Sequence, residues 1–201
     1  MSVQALYLQK RMSAADAIRV VRNGETVVVP TGVGEPPSLL AALGEARRDF
    51  RDVTVAQLLP VRKYGYFDAE TAEHVRHTAY FFSGTSRPGG LEGWIDYLPA
   101  CFAELPTLIK RDLIPADVVF SIASPMDEHG YFSLALAADY TMAAVEKARA
   151  IVLEINSNVP FANGDCHVHV SQVTALTESD DPILEVGLPK IGPVQEAIGK
   201  Y

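Results

Sequence analysis

A glycine turn directly follows an apolar run near the amino terminus, with Gly32 to Pro37 coming after Val27 to Val29. Amide groups in such a turn at the start of a helix can bind an anion, because they are unpaired and the helix dipole is positive there. The turn therefore predicts a site for a carboxylate or a phosphate, although an ordinary tight turn explains the same residues equally well. A dinucleotide site is disfavoured because Pro37 stands where that motif needs its third glycine, and the Gly-Lys-Ser/Thr of an ATP loop is absent.

A second polar loop, Ser124 to Ser133, follows the apolar segment Val118 to Ile122. It should emerge at the carboxyl edge of a sheet, where open α/β proteins bind their ligands. Asp127, Glu128 and His129 in this loop suggest acid–base chemistry. Consecutive loop residues point in different directions, however, so a surface turn closed by Gly130 is the favoured interpretation.

A third loop, Asn156 to Asp165, again follows an apolar segment and leads into two histidines. Strand alternation would put His167 and His169 on one face, as in a metal site. A zinc site needs about three or four ligands, so hydrogen-bonded structural histidines are favoured over a metal. Arg87 follows a further apolar segment and is either a carboxylate partner or a solvated side chain.

The segments between these loops alternate between short apolar runs and helical patterns. The alternation predicts an α/β fold, an open, mostly parallel sheet with helices on both faces. The predicted strands are Thr26–Val29, Val53–Leu59, Thr78–Phe82, Val118–Ile122 and Ala150–Ile155. One predicted helix begins at Ser13, and three others cover Pro36–Phe50, Cys101–Lys110 and Tyr140–Arg149. The prolines of the Pro36–Phe50 helix lie in its first turn, where no hydrogen bond is lost.

Composition restricts the possible partners and compartment. The chain has 201 residues, is 48% hydrophobic and carries a net charge of −8, so one domain is expected and nucleic acid is not. No signal-peptide pattern and no apolar run of about 20 residues is present, so we expect no membrane partner and a cytoplasmic protein. Cys101 and Cys166 lie far apart and predict free buried thiols. Neither thiol has an evident electropositive setting, and no GxSxG nucleophile motif occurs.

Four segments in chain order resemble the N-terminal half of the acetyl-CoA hydrolase / 4-hydroxybutyrate CoA-transferase family. They are TGVGEP from Thr31, DYLP from Asp96, SPMDEHGYFSL from Ser124, and NSNVP from Asn156 followed by Gly-Asp and His-Val-Ser. The resemblance covers nearly the whole chain, and the segment from Ser124 to Leu134 is the most specific. It implies the CoA-transferase fold, in which two related halves enclose the active site between them.

The resemblance also implies a mechanism. A glutamate attacks an acyl-CoA to give an anhydride, and CoA returns to form a glutamyl thioester. A carboxylate then accepts the CoA, or water hydrolyses the thioester. Coenzyme A is a substrate and no metal is needed. This chain has no match to that glutamate, so its catalytic residue is expected in a second domain. The family resemblance implies that a set of residues in this chain lines the cleft and orients the acyl group or carboxylate. These residues are Gly32, Gly34, Glu35, Pro36, Ser124, Asp127, His129, Gly130, Asn156, Pro160, Gly164 and His169.

The expected organisation is an N-terminal CoA-transferase-type domain over residues 1–190. Residues 191–201 would then be the start of a linker or helix leading to a second domain absent from this chain. The expected partners are an acyl-CoA, a small carboxylate, that second domain and further copies in a homo-oligomer. The sequence leaves two alternatives open: a stand-alone ligand-binding or assembly module without catalysis, and an enzyme like the sugar-phosphate isomerases.

Overall fold

The computed structural model describes residues 2–185 and 187–201, which contain nine short strands, seven α-helices and six short 3₁₀ turns. The strands are β1 (Thr26–Val28), β2 (Val53–Gln57), β3 (Val75–Ala79), β4 (Ile95–Tyr97), β5 (Val118–Ala123), β6 (Tyr131–Ser133), β7 (Ala150–Asn156), β8 (His167–His169) and β9 (Ala175–Ser179). The helices are α1 (Val3–Lys10), α2 (Ala14–Ala17), α3 (Pro37–Glu45), α4 (Arg87–Glu92), α5 (Leu105–Lys110), α6 (Thr141–Lys147) and α7 (Pro193–Ile198).

Seven of the strands form one parallel sheet in the order β4-β3-β2-β1-β5-β7-β9. The other two, β6 and β8, form a separate antiparallel pair. Every residue of β5 and β7 is buried, as expected for central strands covered on both faces.

Two apolar cores lie on opposite faces of the sheet because side chains alternate along each strand. In the first strand, Val27 joins the core that contains Leu39 and Leu43 of α3, whereas Val28 joins the core that contains Ile109 of α5 and Ala144 of α6. The predicted fold class, an open parallel sheet with helices on both faces, is confirmed.

Several predicted elements differ in their bounds. The third strand covers Val75–Ala79, which is three residues earlier than the predicted Thr78–Phe82. The predicted helix Pro36–Phe50 divides into α3 and a 3₁₀ turn at Arg47–Asp49. Cys166 is buried as expected, but Cys101 is exposed because it precedes the 3₁₀ turn before α5 at the rim of the sheet. Among the described residues, no helix is long and apolar enough to cross a membrane.

The strand order places a crevice at the centre of the carboxyl edge. From β1 the sheet extends through β2, β3 and β4 in one direction and through β5, β7 and β9 in the other. The segment after β1 leads to α3 on one face, and the segment after β5 leads to β6 and α6 on the opposite face. The loops therefore diverge between β1 and β5, which is the position where open α/β sheets bind ligands.

Candidate functional site

The glycine turn after β1 is a 3₁₀ turn over Gly32–Gly34. Gly32 has a φ of 55°, a left-handed conformation that favours glycine. Gly34 is buried, and a Cβ added there would lie 3.0 Å from the carbonyl oxygen of Leu136 and 2.9 Å from Cβ of Pro30. The first glycine therefore allows the backbone conformation, and the second allows close packing against the 3₁₀ turn before α6.

The amide groups of this turn donate within the protein. The N–H of Gly32 donates to the carbonyl of Leu59 at 3.0 Å, and that of Gly34 to the carbonyl of Thr31 at 3.2 Å. Asp139 accepts from the N–H of Thr31 at 2.9 Å and from the N–H of Thr141 at 2.8 Å. Burial raises the pKa of Asp139, and its hydrogen bonds oppose that shift. This carboxylate thus links the glycine turn to the start of α6.

An internal carboxylate occupies the start of α3. Glu154 of β7 is fully buried, and its Oε2 accepts from the N–H groups of Ser38 at 2.8 Å and Leu39 at 3.2 Å. Its Oε1 accepts from the hydroxyl of Ser38 at 2.9 Å. Burial raises the pKa of Glu154, and these hydrogen bonds oppose the increase. The expectation that the amides at the start of this helix bind an external anion is therefore corrected, because the protein supplies its own anion there.

Glu35 is the centre of a second buried network. Its Oε1 accepts from Nε2 of Gln57 at 3.0 Å and from the N–H of Val61 at 2.7 Å, and its Oε2 accepts from the hydroxyl of Tyr64 at 3.0 Å. Nε2 of Gln57 also donates to the carbonyl of Pro30 at 2.8 Å. Burial raises the pKa of Glu35, against the effect of these donors. The carboxylate therefore holds the loop after β2 against the glycine turn.

A buried tyrosine joins the same two loops from the other face of the sheet. The hydroxyl of Tyr140 donates to the carbonyl of Val29 at 2.5 Å and accepts from the N–H of Leu58 at 3.0 Å. Burial raises its pKa well above the usual value, so the hydroxyl remains protonated and able to donate. The carboxyl ends of β1 and β2 are thereby held at a fixed separation.

The segment after β9, residues 180–184, crosses the carboxyl edge of the sheet, and we call it the strap. Nδ2 of Asn156 donates to the carbonyl of Asp181 at 2.9 Å, and Nδ2 of Asn158 donates to the carbonyl of Asp180 at 3.0 Å. Asn156 is the last residue of β7, so the third polar loop anchors this segment directly.

The strap closes a cavity of about 10 Å³ over the crevice. This volume is close to the room that one water molecule needs. The loops after β1 and β2, strands β5 and β7, and the strap contribute its lining, which consists of Val33, Glu35, Pro37, Arg62, Ile122, Asn156, Pro182, Ile183 and Leu184.

Two larger cavities flank this crevice. One of about 430 Å³ lies on the β9 side, and Tyr7, Pro125, Ser157 and Glu178 are among its lining residues. The other, of about 420 Å³, lies on the β2 side and is mainly apolar. It is lined by Leu58, Leu59, Phe81, Ala100, Cys101 and Phe102.

The residues of the second polar loop occupy two environments. Ser124 is buried, and its Oγ accepts from the N–H of Ser133 at 2.9 Å. Asp127 is half-buried, and its Oδ1 accepts from the N–H groups of His129 and Tyr131 at 2.9 and 2.7 Å. These backbone donors, that of Tyr131 first, lower the pKa of Asp127. Asp127 and His129 thus form a surface turn, as the favoured interpretation of the sequence predicts.

Gly130 and His169 lie together at the end of the β6–β8 pair. A Cβ on Gly130, whose φ is 92°, would lie 2.8 Å from Nε2 of His169. Nδ1 of His169 lies 2.7 Å from the hydroxyl of Ser171, whereas Nε2 of His167 lies 2.9 Å from the carbonyl of Ala162. The two histidines flank a buried valine on β8, as alternation predicts. Within residues 2–185 and 187–201, no group of three or more His, Cys, Asp or Glu side chains is placed to hold a metal.

The structure brings some of the sequence-selected residues together and separates others. Glu35 and Asn156 line the crevice cavity. Gly164 lines a different cavity, of about 600 Å³, beside α5 and α6, and Pro160 is exposed on the loop between β7 and β8. Arg87 begins α4 and donates to the carbonyl of Phe82 at 3.3 Å.

Sequence reasoning missed four residues around the crevice: Gln57, Arg62, Tyr64 and Glu154. Glu154 could have been found, because a glutamate within the apolar run Ala150–Ile155 must have partners if that run is a buried strand. The other three lie in or beside the segment after β2, where no local pattern indicates which residues turn toward the glycine turn.

Comparison with known proteins gives one family and several relatives. Residues 1–186 match the family model described as the acetyl-CoA hydrolase/transferase N-terminal domain. The chain is 39% identical to a succinyl-CoA:cyclohexane-1-carboxylate CoA transferase of Geobacter metallireducens, over all of this chain and 45% of that protein. It is 34% identical to a 4-hydroxybutyrate coenzyme A transferase of Clostridium kluyveri, over all of this chain and 47% of that protein. The chain thus spans about half the length of these curated relatives.

A solved structure is similar over the same extent. RipA from Yersinia pestis superimposes with a TM-score of 0.87 at 27% identity, covering 96% of this chain and 47% of RipA.

Proposed function

Since the chain belongs to the acetyl-CoA hydrolase/transferase family and matches its N-terminal domain, we propose that it forms one half of an enzyme that moves CoA between an acyl-CoA and a small carboxylate. The proposed organisation assigns residues 1–190 to this half. Residues 191–201, which include α7, then lead toward a second domain.

The proposed chemistry uses a glutamate of the second domain. Its carboxylate attacks the thioester carbonyl, expels the CoA thiolate and forms an acyl–glutamyl anhydride. The thiolate then attacks the glutamyl carbonyl, which releases the acyl group as a carboxylate and leaves a glutamyl-CoA thioester. An acceptor carboxylate completes the cycle by the reverse steps and leaves as the new acyl-CoA. Water instead attacks the glutamyl-CoA carbonyl directly, which regenerates the glutamate and releases CoA. Covalent catalysis of this kind divides one difficult exchange into easier steps and requires no metal ion.

In this proposal the present chain walls the cleft and orients the acyl group or carboxylate. The family resemblance assigns this role to Gly32, Gly34, Glu35, Pro36, Ser124, Asp127, His129, Gly130, Asn156, Pro160, Gly164 and His169, and of these Glu35 and Asn156 line the crevice cavity itself. The observation that carries the proposal is the crevice at the switch point, which the loops after β1 and β2, the end of β7 and the strap line together. A rigid wall positions reactants, and positioning is the main contribution that a domain without the nucleophile can make.

The exposed apolar surface beside the crevice supports the proposed second domain. Phe81, Tyr97 and Phe102 lie at or beyond the carboxyl ends of β3 and β4 and are 57%, 49% and 50% exposed. Exposed apolar groups that cluster around a cavity are typical of a surface that packs against a partner. We further propose that the complete protein is a homo-oligomer and acts in the cytoplasm.

The proposal is tested by assaying CoA transfer from acetyl-CoA to butyrate with the 201-residue chain alone and with the complete gene product. We expect transfer only when the second domain is present. Hydroxylamine should trap the glutamyl thioester in the complete protein, and mass spectrometry should locate the label outside residues 1–201. Transfer by the chain alone, or a label on one of its own glutamates, would contradict the assignment of the nucleophile. Absence of transfer in the complete protein would contradict the function itself.

A further inference from the structure

Arg62 is a cation at the crevice that has no partner in the described part of the chain. It lines the closed cavity together with Glu35 and Asn156, and its side chain is half-buried. Among residues 2–185 and 187–201, no carboxylate forms an ion pair with its guanidinium and no acceptor receives a hydrogen bond from it. A guanidinium has five N–H donors, so this position offers an unused anion site.

The other half-buried arginines are different. Arg47 lies 3.8 Å from the carboxylate of Asp68 and donates to the carbonyl of Gly44 at 2.8 Å. Arg76 pairs with Asp96 at 3.0 Å. Within the described residues, Arg62 is therefore the half-buried arginine whose donors remain available.

Neighbouring Glu35 is not the hydrogen-bond partner of the Arg62 guanidinium. The positive charge of Arg62 lowers the pKa of Glu35, but both oxygens of that carboxylate already accept from Gln57, Val61 and Tyr64. Glu35 therefore keeps its hydrogen bonds without the guanidinium. The guanidinium keeps its charge and its planar arrangement of donors. This arrangement can hold a carboxylate through two parallel hydrogen bonds or through a single one.

The remaining lining of the cavity is mainly apolar. Val33, Ile122, Ile183 and Leu184 lie on the same cavity as Arg62. A cation beside aliphatic side chains suits a short organic acid, whose carboxylate and hydrocarbon parts need these two environments. A water molecule as acceptor would need neither the cation nor the aliphatic side chains.

We propose that Arg62 binds the carboxylate of the acceptor acid, and that this residue makes the protein a transferase rather than a hydrolase. The inference rests on the proposed function. The acid enters as its carboxylate, and one of its oxygens attacks the glutamyl-CoA carbonyl. The C–S bond breaks, CoA leaves as the thiolate, and the new C–O bond joins the acid and the glutamate in a mixed anhydride. Because the closed cavity is smaller than any carboxylic acid, the strap moves aside when the acid binds.

The test is the ratio of transfer to hydrolysis in the complete protein, with acetyl-CoA as donor and butyrate as acceptor. Charged hydrogen bonds of this kind typically correspond to about a tenfold to hundredfold change in binding. Arg62→Met should therefore raise the KM for butyrate about tenfold or more and lower the transfer-to-hydrolysis ratio to the same extent. Arg62→Lys should lie between Arg62→Met and the wild type. Lys63→Met removes an adjacent exposed cation that does not line the crevice, so it should leave the ratio unchanged.

The outcomes separate this inference from the proposed function. Normal transfer in the wild type with an unchanged KM for butyrate in Arg62→Met would overturn the role of Arg62 alone. Absence of transfer in the wild type would remove the proposed function and this inference with it. If Arg62→Met does not fold, Arg62→Lys decides, since a KM for butyrate equal to that of the wild type would show that the arrangement of donors is not used.

Discussion

Glu154 and Ser38 form a buried contact in which one carboxylate accepts both the N–H and the hydroxyl of a single serine, at 2.8 and 2.9 Å. The contact joins β7, next to the edge strand β9, to the first turn of α3. The prolines before Ser38 have no N–H, so the amides of Ser38 and Leu39 are the first in α3 that need an acceptor, and Glu154 satisfies both. The glycine turn is thereby fixed at both of its ends, by β1 and by the start of α3.

Replacing Glu154 tests this capping role. Glu154→Ala should reduce the free energy of unfolding by about 2–4 kcal/mol, because buried N–H groups lose their acceptor. Glu154→Gln should cost less, since an amide oxygen still accepts from the backbone. Chemical denaturation measures both, and Glu45→Ala, an exposed change on the same helix, is the control. Equal losses in the alanine and glutamine variants would contradict the capping role.

The difference in free energy of unfolding between the wild type and Glu154→Gln should depend on pH with a definite sign. Burial raises the pKa of Glu154 in the folded protein above its ordinary value of 4.5. The folded state then binds more protons than the unfolded state, so stability falls as pH rises from about 4.5 through the folded pKa. Glu154→Gln removes this contribution, and the stability difference between wild type and variant should therefore shift in favour of the variant over that interval. A difference that is constant with pH would contradict the raised pKa.

The two glycines of the turn should respond differently to alanine. Gly34→Ala places a Cβ 2.9 to 3.0 Å from three atoms of the surrounding turns, so overpacking of about 1–3 kcal/mol is expected. Gly32→Ala meets no atom within 4 Å and should cost only the strain of a positive φ, about 1–2 kcal/mol. Crystal structures of both variants distinguish the causes, because only Gly34→Ala should displace the segment Leu136–Ala137. An unmoved segment in that variant would contradict the packing argument.

Most of the parallel sheet could be predicted from sequence because its central strands are continuous apolar runs. Strands β1, β2, β5 and β7 follow that rule. The third strand was placed three residues late, because Arg76, His77 and Thr78 interrupt the apolar pattern although they lie in the ladder. The edge strands β4 and β9 were missed. The first has three residues, two of them exposed, and so carries little apolar signal.

The candidate site was predictable only as far as its loops. The parallel direction of the strands, which the sequence predicts, puts the loops after β1, β5 and β7 on one edge, but strand order, which sequence does not reveal, decides that they are neighbours there. The contacts of Glu35 with Gln57 and Tyr64 join positions 22 and 29 residues apart, and no local pattern indicates them. Arg62 was missed for the same reason.

The network around Glu35 should control the loop after β2. Glu35→Ala leaves the N–H of Val61, the amide of Gln57 and the hydroxyl of Tyr64 without their acceptor. Hydrogen exchange at Val61 should then accelerate about tenfold or more, because a lost buried hydrogen bond corresponds to about 1–3 kcal/mol. Glu35→Gln retains an acceptor and should exchange more slowly than the alanine variant. Glu70→Ala, an exposed change nearby, should leave Val61 unaffected, and equal protection in Glu35→Ala would contradict the network.

His77 of β3 should make the protein sensitive to acid. The side chain is buried, both ring nitrogens lack a partner among the described residues, and the ring of Phe67 lies 4.7 Å away. Burial lowers the pKa of His77 to about 3 from an ordinary value of 6.5. The unfolded state therefore binds a proton that the folded state does not, and stability falls as pH drops from about 6.5 toward 3.

His77→Phe removes that proton while retaining an aromatic ring between the same neighbours. At pH 4.5, two units below the ordinary pKa, the histidine should lower the stability of the wild type by roughly 2.5 kcal/mol relative to its value at neutral pH, since each pKa unit corresponds to about 1.4 kcal/mol. The phenylalanine variant should lose correspondingly less between pH 7 and pH 4.5, as measured by urea denaturation at both values. Phe67→Leu tests the alternative that loosened packing changes acid sensitivity, because it alters the neighbouring ring and keeps the imidazole. If His77→Phe and the wild type lose the same stability on acidification, another group must bind the proton, and the buried neutral imidazole is excluded as the cause.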